Sequence, residues 1–399
     1  MKILMINKFL YPNGGSETYI FKLGEELIRQ GNEVQYFGME HEGRCVGNRV
    51  NAYTKDMDFH GGSKLSKLIY PFKIIYSKEA YNKLMMVLND FEPDAVHINN
   101  FNFQLTPSIL YATRRWAKKN NKKVKIVYTA HDGQLVCPNH LMQQFYSNER
   151  CEQCLTGGPW RCASNKCIHG SGAKSILGSI EASIYRKLKT YRLFDTVICP
   201  SRFMKDKLDT LPELAKSTVV LQNFNYQPVS EQEKEGSYIL YFGRYSHEKG
   251  VDTLLKVCEK FPDEQFVFAG NGPLESRVNE YKNIRNMGFL NGAELTELIS
   301  GAYVTIFPSE CNENCPFSVM ESISNGVPVI GSRVGGVPEL ISEGINGYTF
   351  EPGNDKELSS IISRLLKDKA ELNKLAKGAR NTTFLTIGEY AKQITQYYI

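Results

Sequence analysis

A short apolar run, a glycine-bearing loop and a helical pattern follow one another twice in this chain, over 3–15 and again over 239–250. An apolar run too short for a helix reads as a buried strand, and the 3.6-residue period after it reads as a helix lying on that strand. Strands joined by helices make parallel sheets covered on both faces. The first series continues with strands expected at 33–38, 95–98, 125–129 and 196–199, and helices at 17–30, 64–90, 105–119 and up to 208. The second has strands at 238–242, 265–269, 303–307, 328–331 and 348–350, with helices at 251–260, 293–300, 317–325 and 355–369. The fold class is α/β, with two doubly wound Rossmann-like domains at 1–220 and 236–380 and a C-terminal helix within 381–399. Residues 219–236, polar and aperiodic, are the expected linker. Ligands of such sheets bind beyond the carboxyl ends of the strands, so the domains are expected to face each other across a cleft.

Charge adds a second constraint. The chain is +5 overall, but residues 1–200 hold 27 Lys+Arg against 17 Asp+Glu, and 201–399 hold 21 against 26. A basic first half suits an anionic acceptor or an anionic membrane surface, and it would equally arise from an uneven spread of solvated lysines. No apolar run reaches the length of a membrane-spanning helix, and the opening run is too short for a signal peptide. The expected place is the cytoplasm, at the inner face of the plasma membrane if the basic surface is used. Ten cysteines there are expected to stay reduced, buried or metal-bound.

The most informative stretch is 308–321, Pro-Ser-Glu-Cys-Asn-Glu-Asn-Cys-Pro-Phe-Ser-Val-Met-Glu, which follows a strand. Glu313 and Glu321 have seven residues between them. Pro316 suits the first turn of a helix, where its missing N–H has no intrahelical partner. Glu313 then lies in the loop ahead of the helix and Glu321 about one turn inside it. Two carboxylates and the free N–H groups of the helix start would meet one ligand, and carboxylates suit the hydroxyls of a sugar or ribose. The same acids would also complement the helix dipole with no ligand present.

Three further segments close strands. Gly243-Arg244-Tyr245-Ser246-His247-Glu248-Lys249-Gly250 sets Arg and Lys five apart, suited to a diphosphate: Arg forks onto two oxygens and Lys acts as a point charge. Asn13-Gly14-Gly15-Ser16-Glu17 opens a helix, and its paired glycines allow close backbone approach. His131, in Thr129-Ala130-His131-Asp132, ends a strand where an imidazole would reach phosphate or a reacting hydroxyl. Neither a P-loop nor GxGxxG is present, which disfavours a dehydrogenase.

Together these motifs resemble glycosyltransferase family 4, the retaining group with the GT-B fold, from Met1 to about Phe350. The resemblance rests on Gly14-Gly15, His131, Arg244…Lys249 and Glu313-x7-Glu321, with Gly270-Asn271-Gly272-Pro273, Gly335-Gly336-Val337-Pro338-Glu339 and Asn346-Gly347 in support. It implies that Arg244 and Lys249 bind the donor diphosphate and Glu321 the ribose. Glu313 contacts the donor sugar beside backbone N–H groups of Pro316, Phe317 and Ser318, Gly288 to Leu290 hold the base, and Gly14, Gly15 and His131 line the reaction centre. The donor would be a nucleotide sugar, UDP-linked by preference. The acceptor would be a glycan or a lipid-diphosphate-linked glycan in cell-surface polysaccharide synthesis. Neither a catalytic cofactor nor nucleic acid is expected. Where many members are glycine-rich after the first glutamate, this chain reads Asn314-Cys315-Pro316-Phe317, which bears on the donor sugar. A sugar-nucleotide epimerase on the same fold and a non-catalytic glycan- or nucleotide-binding subunit are the competing readings.

Cys137, Cys151, Cys154, Cys162 and Cys167 fall in an insert at 137–169. Cys151-x2-Cys154 has zinc-knuckle spacing, and a loop with little regular pattern would gain stability from a metal. The expected ligands of a structural zinc are Cys137, Cys151, Cys154 and Cys167, with Cys162 as the alternative. Thiols without metal are the other reading. Two basic amphipathic stretches, 63–89 with Lys64, Lys67, Lys73, Lys78 and Lys83, and 173–194 with Lys174, Arg186, Lys187, Lys189 and Arg192, suit peripheral contact with an anionic bilayer. Core-facing helices with solvated outer faces would carry the same pattern.

Overall fold

The computed structural model describes residues 1–55, 73–147, 149–227 and 236–399. The chain divides into two compact units, Met1–Gln222 with Ile387–Ile399, and Asn223–Thr386. The first unit runs β1 (Lys2–Ile6), α1 (Gly15–Arg29), β2 (Glu33–Phe37), α2 (Lys78–Phe91), β3 (Ala95–Ile98), α3 (Ser108–Lys119), β4 (Lys125–Thr129), α4 (Gln153–Gly157), α5 (Trp160–Ser164), α6 (Gly172–Lys187), β5 (Thr196–Cys199), α7 (Arg202–Leu208) and β6 (Thr218–Val220). Its six strands lie in the order β2-β1-β3-β4-β5-β6, all parallel. The interior strand β1 shows why: Ile3, Leu4, Met5 and Ile6 are fully buried, as expected for a parallel strand covered on both faces. On α1, Tyr19, Ile20, Leu23 and Leu27 form the buried stripe. Each such side chain contributes roughly 1.5–3 kcal/mol by leaving water, and Leu23→Asp would put an unpaired charge into that contact.

The second unit runs β7 (Tyr238–Phe242), α8 (Val251–Lys260), β8 (Phe266–Ala269), α9 (Glu275–Val278), β9 (Ile284–Asn286), α10 (Gly292–Ser300), β10 (Ala302–Phe307), α11 (Phe317–Ser324), β11 (Val329–Ser332), β12 (Gly347–Phe350), α12 (Asp355–Lys367) and α13 (Lys369–Asn381). Its sheet, also parallel, is ordered β12-β11-β10-β7-β8-β9. Two edge strands were not expected from the sequence. β9 reads Ile-Arg-Asn and β6 only Thr-Val-Val, neither long enough to give a strand period. Val219 and Val220, expected to begin the linker, therefore pair with β5. The remainder of that segment at 228–235, and the part of the expected helix and basic stretch at 56–72, lie outside the described residues.

The last helix, α14 (Ile387–Thr395), belongs to the first unit and packs on α1. Gln30 donates to the Gly388 carbonyl at 3.1 Å, and Tyr390 Oη lies 2.8 Å from Tyr19 Oη. Among the described residues no helix is long and apolar enough to cross a membrane.

Candidate functional site

In the second unit, the chain leaving β7 turns through Gly243 and Arg244 into a short turn at His247–Lys249. Gly250 closes that turn at φ 71°, and a Cβ there would lie 1.8 Å from the Pro308 carbonyl oxygen. A glycine thus lets the turn press against the loop that follows β10. The contact brings Lys249 Nζ to 2.6 Å from Glu313 Oε1, which also accepts from Ser309 Oγ at 2.7 Å. The Glu313 carbonyl accepts from Gly336 N at 2.8 Å. Burial alone would lower the Lys249 pKa, but the Glu313 carboxylate outweighs it and the net shift is upward, so the ammonium stays charged. Burial and Glu313 push the neighbouring Cys311 thiol up to about 11.

Just beyond, α11 begins at Phe317. Pro316 is the residue before the helix, with φ −69° and ψ 126°, rather than part of its first turn. No side chain caps α11 and its first turn carries no acid. The positive end of the helix dipole is thus uncompensated by its own sequence. Phe317 and Ser318 are half-buried, with the Phe317 ring 5.8 Å from Phe224 and 5.4 Å from Tyr226. Arg244 is exposed and has no ion-pair partner among the described residues. Glu321 is buried and is held by Tyr226 and Gln227 rather than by the Lys249–Glu313 group. Burial pushes its carboxyl up to about 7 against those two hydrogen bonds. Gly288, at φ 66°, accepts from Gly270 N at 2.7 Å and donates to Asn286 Oδ1 at 3.0 Å. Phe289 beside it is 67% exposed.

In the first unit, Gly14 and Gly15 are exposed at the start of α1. Glu17 is buried and accepts from Asn7 Nδ2 at 2.8 Å and Ser16 Oγ at 3.0 Å. Its carboxyl is raised by burial against those bonds. Asn100 joins the group through Ser16 Oγ at 3.0 Å and Asn7 Oδ1 at 3.0 Å. His131 Nε2 lies 2.8 Å from Asn99 Oδ1, and the Tyr19 ring stands edge-on 4.9 Å away. Burial drives the His131 pKa down to about 3, so the ring is neutral. Asn7, Asn99, Tyr226 and Asn223, whose Nδ2 donates to the Cys315 carbonyl at 2.8 Å, are the supporting residues that sequence reasoning missed. Only Asn7, a polar break at the end of an apolar strand, left a visible trace.

The expected zinc ligands Cys137, Cys151, Cys154 and Cys167 are not gathered as a metal site. Among the described residues no group of three or more His, Cys, Asp or Glu is placed to hold a metal ion. Cys151 is only half-buried, whereas Cys154, Cys162 and Cys167 pack together as a small buried cluster. All five thiols are free. Cys137 donates to Asn139 Oδ1 at 2.8 Å, its coupling to Cys154 raises the Cys137 thiol and lowers the Cys154 one, and burial pushes Cys162 beside Cys167 up to about 12. The basic stretch at 173–194 also needs correction at one residue. Arg186 turns inward, donating to the Val136 carbonyl at 2.6 Å and to the Cys154 carbonyl at 3.2 Å, because it holds the insert to α6.

Two sequence families match this chain: glycosyltransferase family 4 over residues 13–223 and glycosyl transferases group 1 over 223–382. An uncharacterised 42.6 kDa protein in the cps region of Klebsiella pneumoniae is 24% identical over 89% of this chain and 91% of its own length. Sulfoquinovosyl transferase SQD2 of Arabidopsis thaliana is 31% identical over 163 residues, 39% of this chain and 31% of that protein, so the chain spans under a third of that relative. Among solved structures, Anabaena HepE in complex with UDP-glucose superposes with a TM-score of 0.66 at 17% identity, over 99% of this chain and 98% of that one. At that identity the likeness is one of fold, and it is the fold already described: two parallel six-stranded sheets with helices between their strands. The chain belongs to glycosyltransferase family 4 and is a glycosyltransferase of the GT-B fold.

Proposed function

We propose that the enzyme moves a sugar, with retention of anomeric configuration, from a UDP-sugar to a glycan or lipid-diphosphate-linked acceptor in cell-surface polysaccharide synthesis. The observation that carries the reading is the Lys249–Glu313 pair at 2.6 Å, set in the loop that leads into the uncapped start of α11. Lys249, the exposed Arg244 and the N–H groups of Phe317 and Ser318 are a preorganised anion site for a leaving diphosphate. Glu313 orients Lys249 and offers its second oxygen to a donor-sugar hydroxyl. Glu321, held near neutrality by burial, accepts or donates to the ribose hydroxyls. In the reaction the bond from the anomeric carbon to the diphosphate oxygen breaks. A bond to the acceptor oxygen forms on the same face, and the acceptor proton passes to the departing phosphate. The neutral His131, fixed by Asn99, offers its other ring nitrogen to a sugar hydroxyl. The UDP and UDP-glucose complexes of HepE and the cps-region relative support the donor and pathway readings.

The test is donor binding and hydrolysis across a panel of nucleotide sugars, for wild type and Glu321→Gln. One UDP-sugar should bind, and the variant should lose at least about tenfold in affinity, as expected for charge-assisted or well-placed buried hydrogen bonds. Binding of none of the panel would sink the catalytic reading, and donor turnover to an epimer without acceptor would replace it with epimerisation.

A further inference from the structure

An open cavity of about 770 Å³ lies in the first unit, where α2, α3 and the end of α6 come together. That volume is typical of a small-molecule site. Its wall is aromatic, built from Tyr76, Tyr81, Tyr111 and Tyr185. The Tyr76 ring stands 6.4 Å from Tyr81 and 6.4 Å from Tyr111. Two of these phenols are engaged elsewhere: Tyr185 donates to the Ile75 carbonyl, and Tyr111 Oη lies 2.7 Å from Thr190 Oγ1. Their rings, not their hydroxyls, are therefore what they offer a ligand. Ile184 and the exposed Leu188 extend the apolar wall.

Two cations line the same cavity, Lys78 in the first turn of α2 and Arg115 on α3. Among the described residues neither has a carboxylate partner, and no Asp or Glu lines the cavity. Unpaired cations beside an aromatic and aliphatic wall match an anion joined to an apolar chain. A free glycan fits less well, because sugar hydroxyls are best held by carboxylates and paired amides, and among the described residues Asn82 is the one amide that lines the cavity. Lys187 and Lys189, exposed on either side of Leu188, extend the positive charge outward at the rim.

We propose that this cavity binds the phosphate-bearing end of a long-chain lipid phosphate. Arg115 forks onto two phosphate oxygens, Lys78 adds a point charge, and the tyrosine rings cover the first carbons of the chain. The site would hold the lipid part of a lipid-linked acceptor, and in that sense it rests on the acceptor reading above.

The experiment titrates the full chain with farnesyl monophosphate, farnesol and inorganic phosphate, for wild type, Arg115→Gln and Lys78→Gln. Farnesyl monophosphate should bind at least about tenfold tighter than either fragment. Arg115→Gln should lose about tenfold for the phosphate and leave farnesol unchanged. Equal binding of farnesol would remove the phosphate contact from the proposal. Equal binding of inorganic phosphate, or of a soluble acidic oligosaccharide, would overturn the lipid. Nucleotide-sugar binding, measured on the same samples, separates the two readings. Loss of lipid phosphate binding with donor binding intact overturns this site alone, and the reverse pattern overturns the donor reading alone.

Discussion

Tyr398 Oη lies 2.7 Å from His97 Nδ1, and Nε2 of the same ring lies 2.7 Å from Thr129 Oγ1. Thr129 Oγ1 is 3.2 Å from Tyr19 Oη, which is 2.8 Å from Tyr390 Oη. Five buried side chains thus form one hydrogen-bonded chain that begins and ends on the C-terminal segment. Burial drives the His97 pKa down to about 3, so its ring is neutral, with one nitrogen donating and the other accepting. The proton arrangement at one end then constrains the other. Tyr398→Phe leaves an imidazole nitrogen without its partner and should cost about 1–3 kcal/mol. The check is a urea midpoint that falls with an unchanged slope. An unmoved midpoint would mean the bond contributes nothing.

Stability should peak near pH 6.5, for reasons of opposite sign. His97, His131 and His140 have pKa values driven down by burial to about 3, 3 and 4. The unfolded chain, with histidines near 6.5, takes up these protons first, so stability falls as pH drops below about 6.5. Glu181 runs the other way. Burial pushes it up to about 8, so the folded chain keeps a proton that the unfolded chain has lost. Its contribution is present at low pH and disappears as pH rises toward 8. Glu321, at about 7, acts in the same sense in the second unit. Glu181→Gln should flatten the decline between pH 6.5 and 8 in a urea-midpoint series. A decline as steep as wild type's would show that Glu181 is not its source.

Gly335→Ala and Gly14→Ala should behave differently although both glycines belong to the motifs. Gly335 has φ 52°, and its Cβ would lie 1.8 Å from the Glu313 carbonyl oxygen. Strain and displacement of that loop should cost about 1–3 kcal/mol and weaken donor binding as well. Gly14 is extended at φ 174°, and the nearest atom to its Cβ would be Glu17 Oε2 at an ordinary 3.7 Å. Its alanine variant should melt like wild type, so any loss of turnover would come from the space a ligand needs. Thermal melts and turnover on both variants decide it.

The sheets were legible because their interior strands are continuous apolar runs such as Ile3 to Ile6 and Tyr238 to Phe242. The edge strands β6 and β9 were not, since three residues carry no period. Lys249 and Glu313 were each visible as motif residues, yet they lie 64 residues apart, and their contact depends on close approaches at Gly250 against Pro308 and Gly335 against Glu313. Residue spacing also misjudged Arg186. It reads as part of a basic surface stretch, yet it turns inward to the Val136 carbonyl, 50 residues away in sequence. The Cys-x2-Cys spacing favoured Cys151, but burial favours Cys162.

That last difference gives a prediction about metal. Zinc remains our proposal for the insert, on Cys137, Cys154, Cys162 and Cys167, which would have to draw together from their two pairs. The two short helices α4 and α5 enclose a cluster made mainly of thiols, a poor apolar core, and a tetrathiolate zinc would supply the missing stability. Cys151→Ser should retain one zinc per chain by elemental analysis, and Cys162→Ser should lose it. Wild type purified without added metal and free of zinc would overturn the proposal, and zinc lost from Cys151→Ser alone would restore the set expected from spacing.

Lys249→Met tests whether the pair with Glu313 serves the donor or only the fold. Glu313 is 14% exposed at its side chain and Lys249 34%, so removing the ammonium strands a largely buried carboxylate beside Ser309. The single variant should therefore be less stable and should lose roughly 10²–10³ in kcat/KM, the usual scale for one lost charge-stabilising donor. Adding Glu313→Gln removes the stranded charge and should restore stability. It should not restore turnover, because the cation that meets the diphosphate is still missing. Recovery of turnover together with stability in the double variant would make the pair a structural contact, and the diphosphate would then rest on Arg244 and the start of α11.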